Sequence, residues 1–160
     1  MQKRASNGEG IARLTAANNR IDGAYYLCAR AMGINENKLA LLYALDDGRP
    51  RTQTQICEEW LIPKTTVNTI VRDLERAGYM TLAVHGREKT LVLTEAGRAY
   101  ARRLLAPVKA AEEQALAETL ETFSPAFIDA YDHFAARLCR ALRERSRGGR
   151  DASTEKGDDV

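Results

Sequence analysis

Residues 52–80 of the chain read TQTQICEEWLIPKTTVNTIVRDLERAGYM, and their pattern is the most informative about the fold. This stretch opens with a capping box, in which Thr52 is followed three residues later by Gln55 and each side chain bonds the backbone of the other. This pair predicts a short helix through Trp60. The next three residues interrupt the helical pattern, so the stretch is predicted to hold two helices joined by a short turn.

The second helix is predicted to begin with Pro63, because the N–H that proline lacks has no helical partner in the first turn. It runs to about Ala77 and ends at Gly78, since glycine readily takes the left-handed conformation of a helix C-terminus. Its apolar residues recur at the spacing of one buried face: Val67, Ile70, Val71 and Leu74. Two such helices form a helix-turn-helix, whose second helix can enter the major groove of DNA.

The opposite face of this second helix consists of short polar or basic residues. They are Lys64, Thr65, Asn68, Thr69 and Arg72. No acid lies among them, and Asp73 and Glu75 are predicted to lie off this face. A face that offers donors and small hydroxyls suits phosphates and base edges. The alternative is an ordinary solvated surface that happens to lack acids.

A β-hairpin is predicted directly after the helix pair. Met80, Leu82 and Val84 alternate with polar or small residues, and a second apolar run follows at residues 91–93. Gly86, between the runs, can take the positive φ of a tight turn. A helix-turn-helix followed by a hairpin is a winged helix, so residues 34–94 are predicted to form a winged helix-turn-helix DNA-binding domain.

Helical patterns flank this domain, at residues 10–33 and 95–146. Thr94 is predicted to cap the helix after the wing, and Gly97 to allow close backbone packing in its first turn. A monomer would fold the apolar stripes of these helices back on its own domain, whereas a dimer would interleave them with a second copy. We favour dimerisation helices, because two-fold proteins match palindromic DNA half-sites.

The predicted fold class is therefore mainly α (α+β), a winged helix-turn-helix with N- and C-terminal dimerisation helices. Residues 1–9 and 147–160 are polar and predicted to be disordered.

Charge is unevenly distributed along the 160 residues, although the net charge is only +2. Residues 61–110 hold 9 Lys and Arg against 4 Asp and Glu, whereas residues 111–160 hold 7 against 11. A basic middle favours a polyanionic partner. No apolar run approaches the ~20 residues of a membrane span, and no signal peptide is recognised, so no membrane partner and a cytoplasmic location are expected.

No Ser/His/Asp arrangement, metal-ligand spacing or phosphate loop is recognised. Neither enzyme activity nor a metal or cofactor is therefore predicted. The three cysteines, Cys28, Cys57 and Cys139, form no CxxC pair. They are interpreted as small buried apolar residues, and the alternative is a redox-active thiol at Cys28, beside Tyr25 and Tyr26.

The order of these elements resembles that of the MarR family of bacterial transcription regulators. The resemblance covers about residues 10–145 and is carried by TQTQICEEW, KTTVNTIVRDLERAGYM and REKTLVLTEAGRA. It implies a homodimer with recognition helices in successive major grooves of a palindromic operator and wings in the flanking minor grooves. It also implies a repressor released by a small aromatic ligand, bound between the dimerisation helices and the winged helix.

Three positions depart from the family's usual pattern. Leu61 takes the place of a turn glycine, Pro63 that of a serine before the recognition helix, and His85 that of an acid near the arginine of the wing. If the turn keeps a left-handed residue at Leu61, the expected strain is roughly 1–2 kcal/mol.

Ten residues are predicted to contact double-stranded DNA. The recognition helix supplies the major-groove contacts, Thr66 and the start of the preceding helix touch phosphates, and the wing reaches the minor groove and phosphates. The ten are Thr52, Gln53, Lys64, Thr65, Thr66, Asn68, Thr69, Arg72, Arg87 and Lys89. The alternative function is a winged-helix protein-interaction or replication module without a ligand switch, whose association would be insensitive to salt.

Overall fold

The computed structural model describes residues 7–85 and 88–154. Its helices are α1 (Asn7–Ala31), α2 (Glu36–Leu45), α3 (Gln53–Trp60), α4 (Lys64–Arg76), α5 (Glu95–Thr122) and α6 (Ala126–Thr154). Its strands are β1 (Arg51–Thr52), β2 (Met80–His85) and β3 (Glu88–Leu93). The predicted fold class, mainly α with a small wing, is confirmed. The chain divides into two compact units, residues 1–111 and 112–160.

The core of the first unit is aliphatic. Its largest fully buried side chains are Leu41, Leu42, Ile56, Val67, Val71, Leu74, Leu91 and Leu105. They come from α2, α3, α4, β3 and α5, so the winged helix and the first part of α5 share one core. Each such side chain contributes about 1.5–3 kcal/mol of burial free energy, and this shared core holds the elements in place.

The capping box at the start of α3 is complete. Thr52 Oγ1 accepts from the backbone N–H of Gln55 at 3.2 Å, and Gln55 Oε1 accepts from the backbone N–H of Thr52 at 2.8 Å. The start of α4 lies one residue later than predicted, because Pro63 has an extended ψ of 138° and is the N-cap. Lys64 is therefore the first helical residue.

A non-glycine residue in the left-handed region forms the turn between α3 and α4. Leu61 has φ 53° and ψ 32°, and no other non-glycine residue in the described ranges has a positive φ. The conformation expected at this position is confirmed. The Leu61 side chain is 64% exposed, so burial does little to offset the strain, whereas the adjacent Ile62 is buried in the core.

The sheet has the order β1-β3-β2, with antiparallel neighbours. The hairpin of β2 and β3 has a regular register, from Met80 opposite Leu93 to His85 opposite Glu88. These strands confirm the predicted hairpin. The positive φ predicted for Gly86 falls on the tip, which lies outside the described residues.

The third strand, β1, is absent from the sequence prediction, because two residues are too few to show an alternating pattern. Arg51 lies opposite Leu91, and Thr52 lies opposite Thr90. Thr52 also caps α3, so β1 connects the start of that helix directly to the wing.

The start of α5 packs closely against the end of the helix-turn-helix. A Cβ atom at Gly97 would lie 1.8 Å from the carbonyl oxygen of Tyr79. Thr94 Oγ1 accepts from the backbone N–H of Gly97 at 3.0 Å and donates to the carbonyl oxygen of Gly78 at 2.7 Å. The predicted cap at Thr94 and the close packing at Gly97 are therefore confirmed.

The first and last helices extend into segments that were predicted to be disordered. Helix α1 begins at Asn7 rather than at Gly10, and the backbone of α6 remains helical to Thr154. Once a helix is nucleated, each added residue forms one more hydrogen bond, so polar composition alone does not mark its end. The remaining predicted tails, residues 1–6 and 155–160, lie outside the described ranges.

Large apolar side chains are exposed on both candidate dimerisation helices. In the first unit, α1 exposes Ile11, Ile21, Tyr25, Tyr26 and Leu27. In the second unit, α6 exposes Phe127, Ile128, Tyr131, Leu138 and Leu142.

The interpretation that all three cysteines are buried is wrong for Cys139. Cys28 and Cys57 are half-buried and pack against the core of the first unit, as expected for small apolar residues. Cys139 is exposed on α6. The error arose because the sequence around Cys139 did not reveal which side of the helix would be covered.

Candidate nucleic-acid interface

Helix α4 separates an apolar from a polar face, as predicted. Val67, Ile70, Val71 and Leu74 are at most 4% exposed. On the opposite side, Lys64, Thr65, Thr69 and Arg72 are exposed, and Thr66 and Asn68 are half-buried. The hydroxyl of Thr69 donates to the carbonyl oxygen of Thr65 at 3.0 Å, which leaves its oxygen lone pairs and its methyl group for outside contacts.

Arg76 extends this face, and the sequence prediction missed it. It lies four residues after Arg72 and is exposed, so both side chains project from the same side of α4. Its Nη1 lies 3.2 Å from Oδ1 of Asp73, the exposed acid at the border of the face. Arg76 therefore offsets the charge of Asp73. The four-residue spacing from Arg72 was the signal that could have identified it.

A cleft lies where the start of α3, the start of α4 and the wing meet. Four of the predicted DNA contacts line it: Thr52, Gln53, Lys64 and Lys89. Glu88 lines it as well, and is the one acid among the described residues of its lining. The N-terminus of a helix presents unpaired N–H groups and a partial positive charge, so the start of α3 adds to the two lysines in favouring an anion.

Behind this cleft, Arg51 forms a bidentate ion pair with Asp47. Its Nη1 and Nη2 donate to the two carboxylate oxygens of Asp47 at 2.7 and 2.8 Å. Its Nε lies 3.4 Å from Oε2 of Glu59, and Nη1 also donates to the carbonyl oxygen of Ala44. The Arg51 hydrogen bonds, with that from the backbone N–H of Arg49, hold the pKa of Asp47 well below its usual range. The same pair raises the pKa of Arg51.

A second cleft lies between the loop after α2 and the start of α5, on an apolar floor that includes Leu91 and Leu93. Arg49, Arg98 and Arg102 line it together with Asp46, whose carboxylate is paired with Lys109, and its volume is about 230 Å³. Nη1 of Arg98 donates to the carbonyl oxygen of Leu93 at 2.8 Å, so this guanidinium is held beside the floor. The arrangement suits a small anion with an apolar body, since planar guanidinium groups bind carboxylates in a bidentate manner.

The profile of the MarR family matches residues 32–88, which include α2, α3, α4 and β2. Over these residues the chain is similar to the MarR family.

Solved structures of MarR-family proteins have the same fold. NMB1585, a MarR family regulator from Neisseria meningitidis, is 25% identical, and the alignment covers 91% of this chain and 97% of that one with a TM-score of 0.56. SPO1453, a MarR family transcriptional regulator from Silicibacter pomeroyi, is 23% identical, with 91% and 98% coverage and a TM-score of 0.61. Among curated proteins, no match to the chain is found.

A third MarR-family structure was solved with a ligand. Rv2887 from Mycobacterium tuberculosis, in complex with salicylic acid, is 21% identical to this chain. The alignment covers 86% of this chain and 99% of that one, with a TM-score of 0.53.

Nine of the ten predicted DNA contacts lie on described residues, and all nine belong to α3, α4, β3 or the cap of α3. The tenth, Arg87, lies at the wing tip, outside the described ranges.

Among the helices that the structure describes, none combines the length and apolar composition of a membrane span. Within the same residues, no group of three or more His, Cys, Asp or Glu side chains is placed to hold a metal ion.

Proposed function

We propose that this chain is a MarR-type, sequence-specific DNA-binding transcription regulator that acts as a homodimeric repressor and is released by a small-molecule ligand. The proposal of DNA binding rests on one observation, which is that three elements meet at one cleft. The start of α3, Lys64 of α4 and Lys89 of β3 all present donors there, beside the polar face of α4. Such a surface suits two kinds of contact, with phosphates in the cleft and with base edges along α4.

In this proposal, α4 lies in the major groove. Arg72 and Lys64 supply long donors that reach guanine or phosphate, and Asn68 suits adenine. The methyl groups of Thr65 and Thr69 suit thymine methyls. Thr52, Gln53 and Thr66 contact phosphates with Lys89, and Arg87 extends the wing toward the minor groove.

The homodimer is supported by the exposed apolar residues of α1 and α6, which include Tyr25, Tyr26, Phe127 and Tyr131. Large apolar side chains that recur along the exposed surface of each helix are candidate interaction sites. A two-fold dimer would present two α4 helices to the two halves of a palindromic operator.

The ligand is proposed to be a small aromatic acid that binds the second cleft. Its volume of about 230 Å³ is below the range of drug-sized sites, and Arg98 and Arg102 would hold a carboxylate over the leucine floor. The solved complex of the related Rv2887 with salicylic acid supports the same ligand class. The ligand would bind more tightly to a dimer whose two α4 helices are spaced wrongly for successive major grooves. It would therefore favour that dimer conformation and release the DNA.

The experiment is selection of bound duplexes from a random pool by the full-length protein. The proposal expects a palindrome whose half-sites are about one helical turn apart, as for other two-fold helix-turn-helix proteins. Failure to enrich any duplex would contradict it. The salt dependence of binding distinguishes this function from the alternative, a protein-interaction module. Phosphate contacts make log K fall steeply with log salt, whereas the alternative association would be insensitive to salt.

A further inference from the structure

Arg51, which directly precedes the cap of α3, has an extensively bonded side chain. Four of the five N–H donors of its guanidinium are engaged, by Ala44, Asp47 and Glu59. Its side chain is only 18% exposed. Arg51 is therefore poorly placed to bind a phosphate itself, although it directly precedes the cap of α3.

The bonds of Arg51 join segments that are otherwise connected by loops. Ala44 lies in the last turn of α2, Asp47 in the following loop, and Glu59 in the last turn of α3. The backbone of Arg51 lies in β1 opposite Leu91, and the next residue caps the first turn of α3. One residue thus holds α3 at both ends, through its backbone at the start and through its side chain at the last turn.

We propose that Arg51 is a positioning residue of the DNA interface. Through Asp47 and Glu59 it fixes the orientation of α3, and so sets where Thr52 and Gln53 meet a phosphate. The inference rests on the proposed DNA-binding function. A lysine could not replace it, because a single ammonium group cannot pair with Asp47 in the planar bidentate geometry and reach Glu59 and Ala44 as well.

The test measures the affinity and the salt slope for the selected duplex by fluorescence anisotropy. Wild type is compared with Arg51→Met, Arg51→Lys, Gln53→Ala and the Arg51→Met/Gln53→Ala double variant. Arg51→Met is expected to weaken binding on the order of tenfold and to reduce the salt slope by about one unit, as one phosphate contact is lost. Gln53→Ala should then add little in the Arg51→Met background, because the contact that it removes is already misplaced.

Two controls separate positioning from loss of charge or of fold. Arg103→Met removes one exposed cation that stacks on Tyr100, and should leave the salt slope unchanged. Asp47→Asn and Glu59→Gln each replace one carboxylate oxygen that pairs with Arg51, and each should weaken DNA binding by part of the amount expected for Arg51→Met. These two variants keep the test possible if Arg51→Met is too unstable to titrate. Thermal melts of all variants show whether each is folded at the assay temperature.

The results that would overturn this inference differ from those that would overturn the proposed function. If wild type shows no salt-dependent binding to any selected duplex, both the function and this inference are overturned. If wild type binds but the effects of Arg51→Met and Gln53→Ala are fully additive, or Arg51→Lys restores wild-type binding, Arg51 is not a positioning residue and the proposed function stands.

Discussion

The carbonyl oxygen of Tyr79 occupies the space that a side chain at Gly97 would need, 1.8 Å from an ideal Cβ position. The contact joins the turn after α4 to the first turn of α5. It is made by the backbone on both sides, so neither partner can move by changing a rotamer. The end of the proposed recognition helix is therefore fixed directly to α5.

Gly97→Ala is expected to destabilise the protein by about 1–3 kcal/mol, the usual cost of an overpacked site, despite the higher helix propensity of alanine. Urea denaturation measures the change. Gly10 also lies in the first turn of a long helix, and no atom of the described residues outside that helix lies within 4 Å of an added Cβ. Gly10→Ala is therefore the matched control and should be neutral or slightly stabilising. Equal effects of the two variants would contradict the packing account.

Leu61→Gly is expected to stabilise the protein by about 0.5–1 kcal/mol. Glycine removes the left-handed strain of roughly 1–2 kcal/mol, and its greater freedom in the unfolded chain offsets part of that gain. Leu61→Ala keeps the strain and should give no gain. Thermal melts compare the two, and stabilisation by alanine equal to that by glycine would show that the exposed leucine side chain, rather than the backbone, is unfavourable.

The contribution of Asp47 to stability is expected to depend on pH. Because the folded pKa of Asp47 lies below the usual value of about 3.9, its stabilising contribution is fully present above that value and is lost as the pH falls toward the folded pKa. The difference in urea midpoint between wild type and Asp47→Asn should thus narrow from pH 6 to pH 3. A difference that stays constant over this range would contradict the depressed pKa.

Glu88 and Lys89 are expected to have opposite effects on DNA binding, since both line the cleft. Lys89→Ala should weaken binding and reduce the salt slope by about one unit. Glu88→Gln should strengthen binding a few-fold, because it removes the acid from the cleft. Glu36→Gln, in the first turn of α2, is the charge-matched control. If Glu36→Gln strengthens binding as much as Glu88→Gln, the effect reflects net charge rather than the cleft.

Features set by neighbouring residues could be predicted from the sequence. The capping box of Thr52 and Gln55 and the cap at Thr94 depend on hydrogen bonds within one turn, and the buried stripe of α4 follows the helical repeat, so spacing alone identified all three. The left-handed turn at Leu61 was expected from the resemblance to the MarR family, in which glycine is usual there.

Features that depend on the meeting of separate elements could not be predicted in this way. The pairing of β1 with β3 and the bonds from Arg51 to Ala44 and Glu59 require the relative placement of α2, α3 and the wing. The two clefts likewise exist only once these elements are packed. Periodicity carries no information about such placement, which the shared core determines.

DNA recognition through α4 is best tested by the salt dependence of binding to a selected palindromic duplex, measured for wild type and for Arg72→Ala. For wild type, we expect log K to fall linearly with log salt with a slope of several units, about one per phosphate contacted. Arg72→Ala should bind that duplex about 5- to 100-fold more weakly, with an unchanged melting temperature and less preference for it over unrelated DNA. Unchanged affinity and preference in Arg72→Ala, or wild-type association that is insensitive to salt, would contradict DNA recognition through α4.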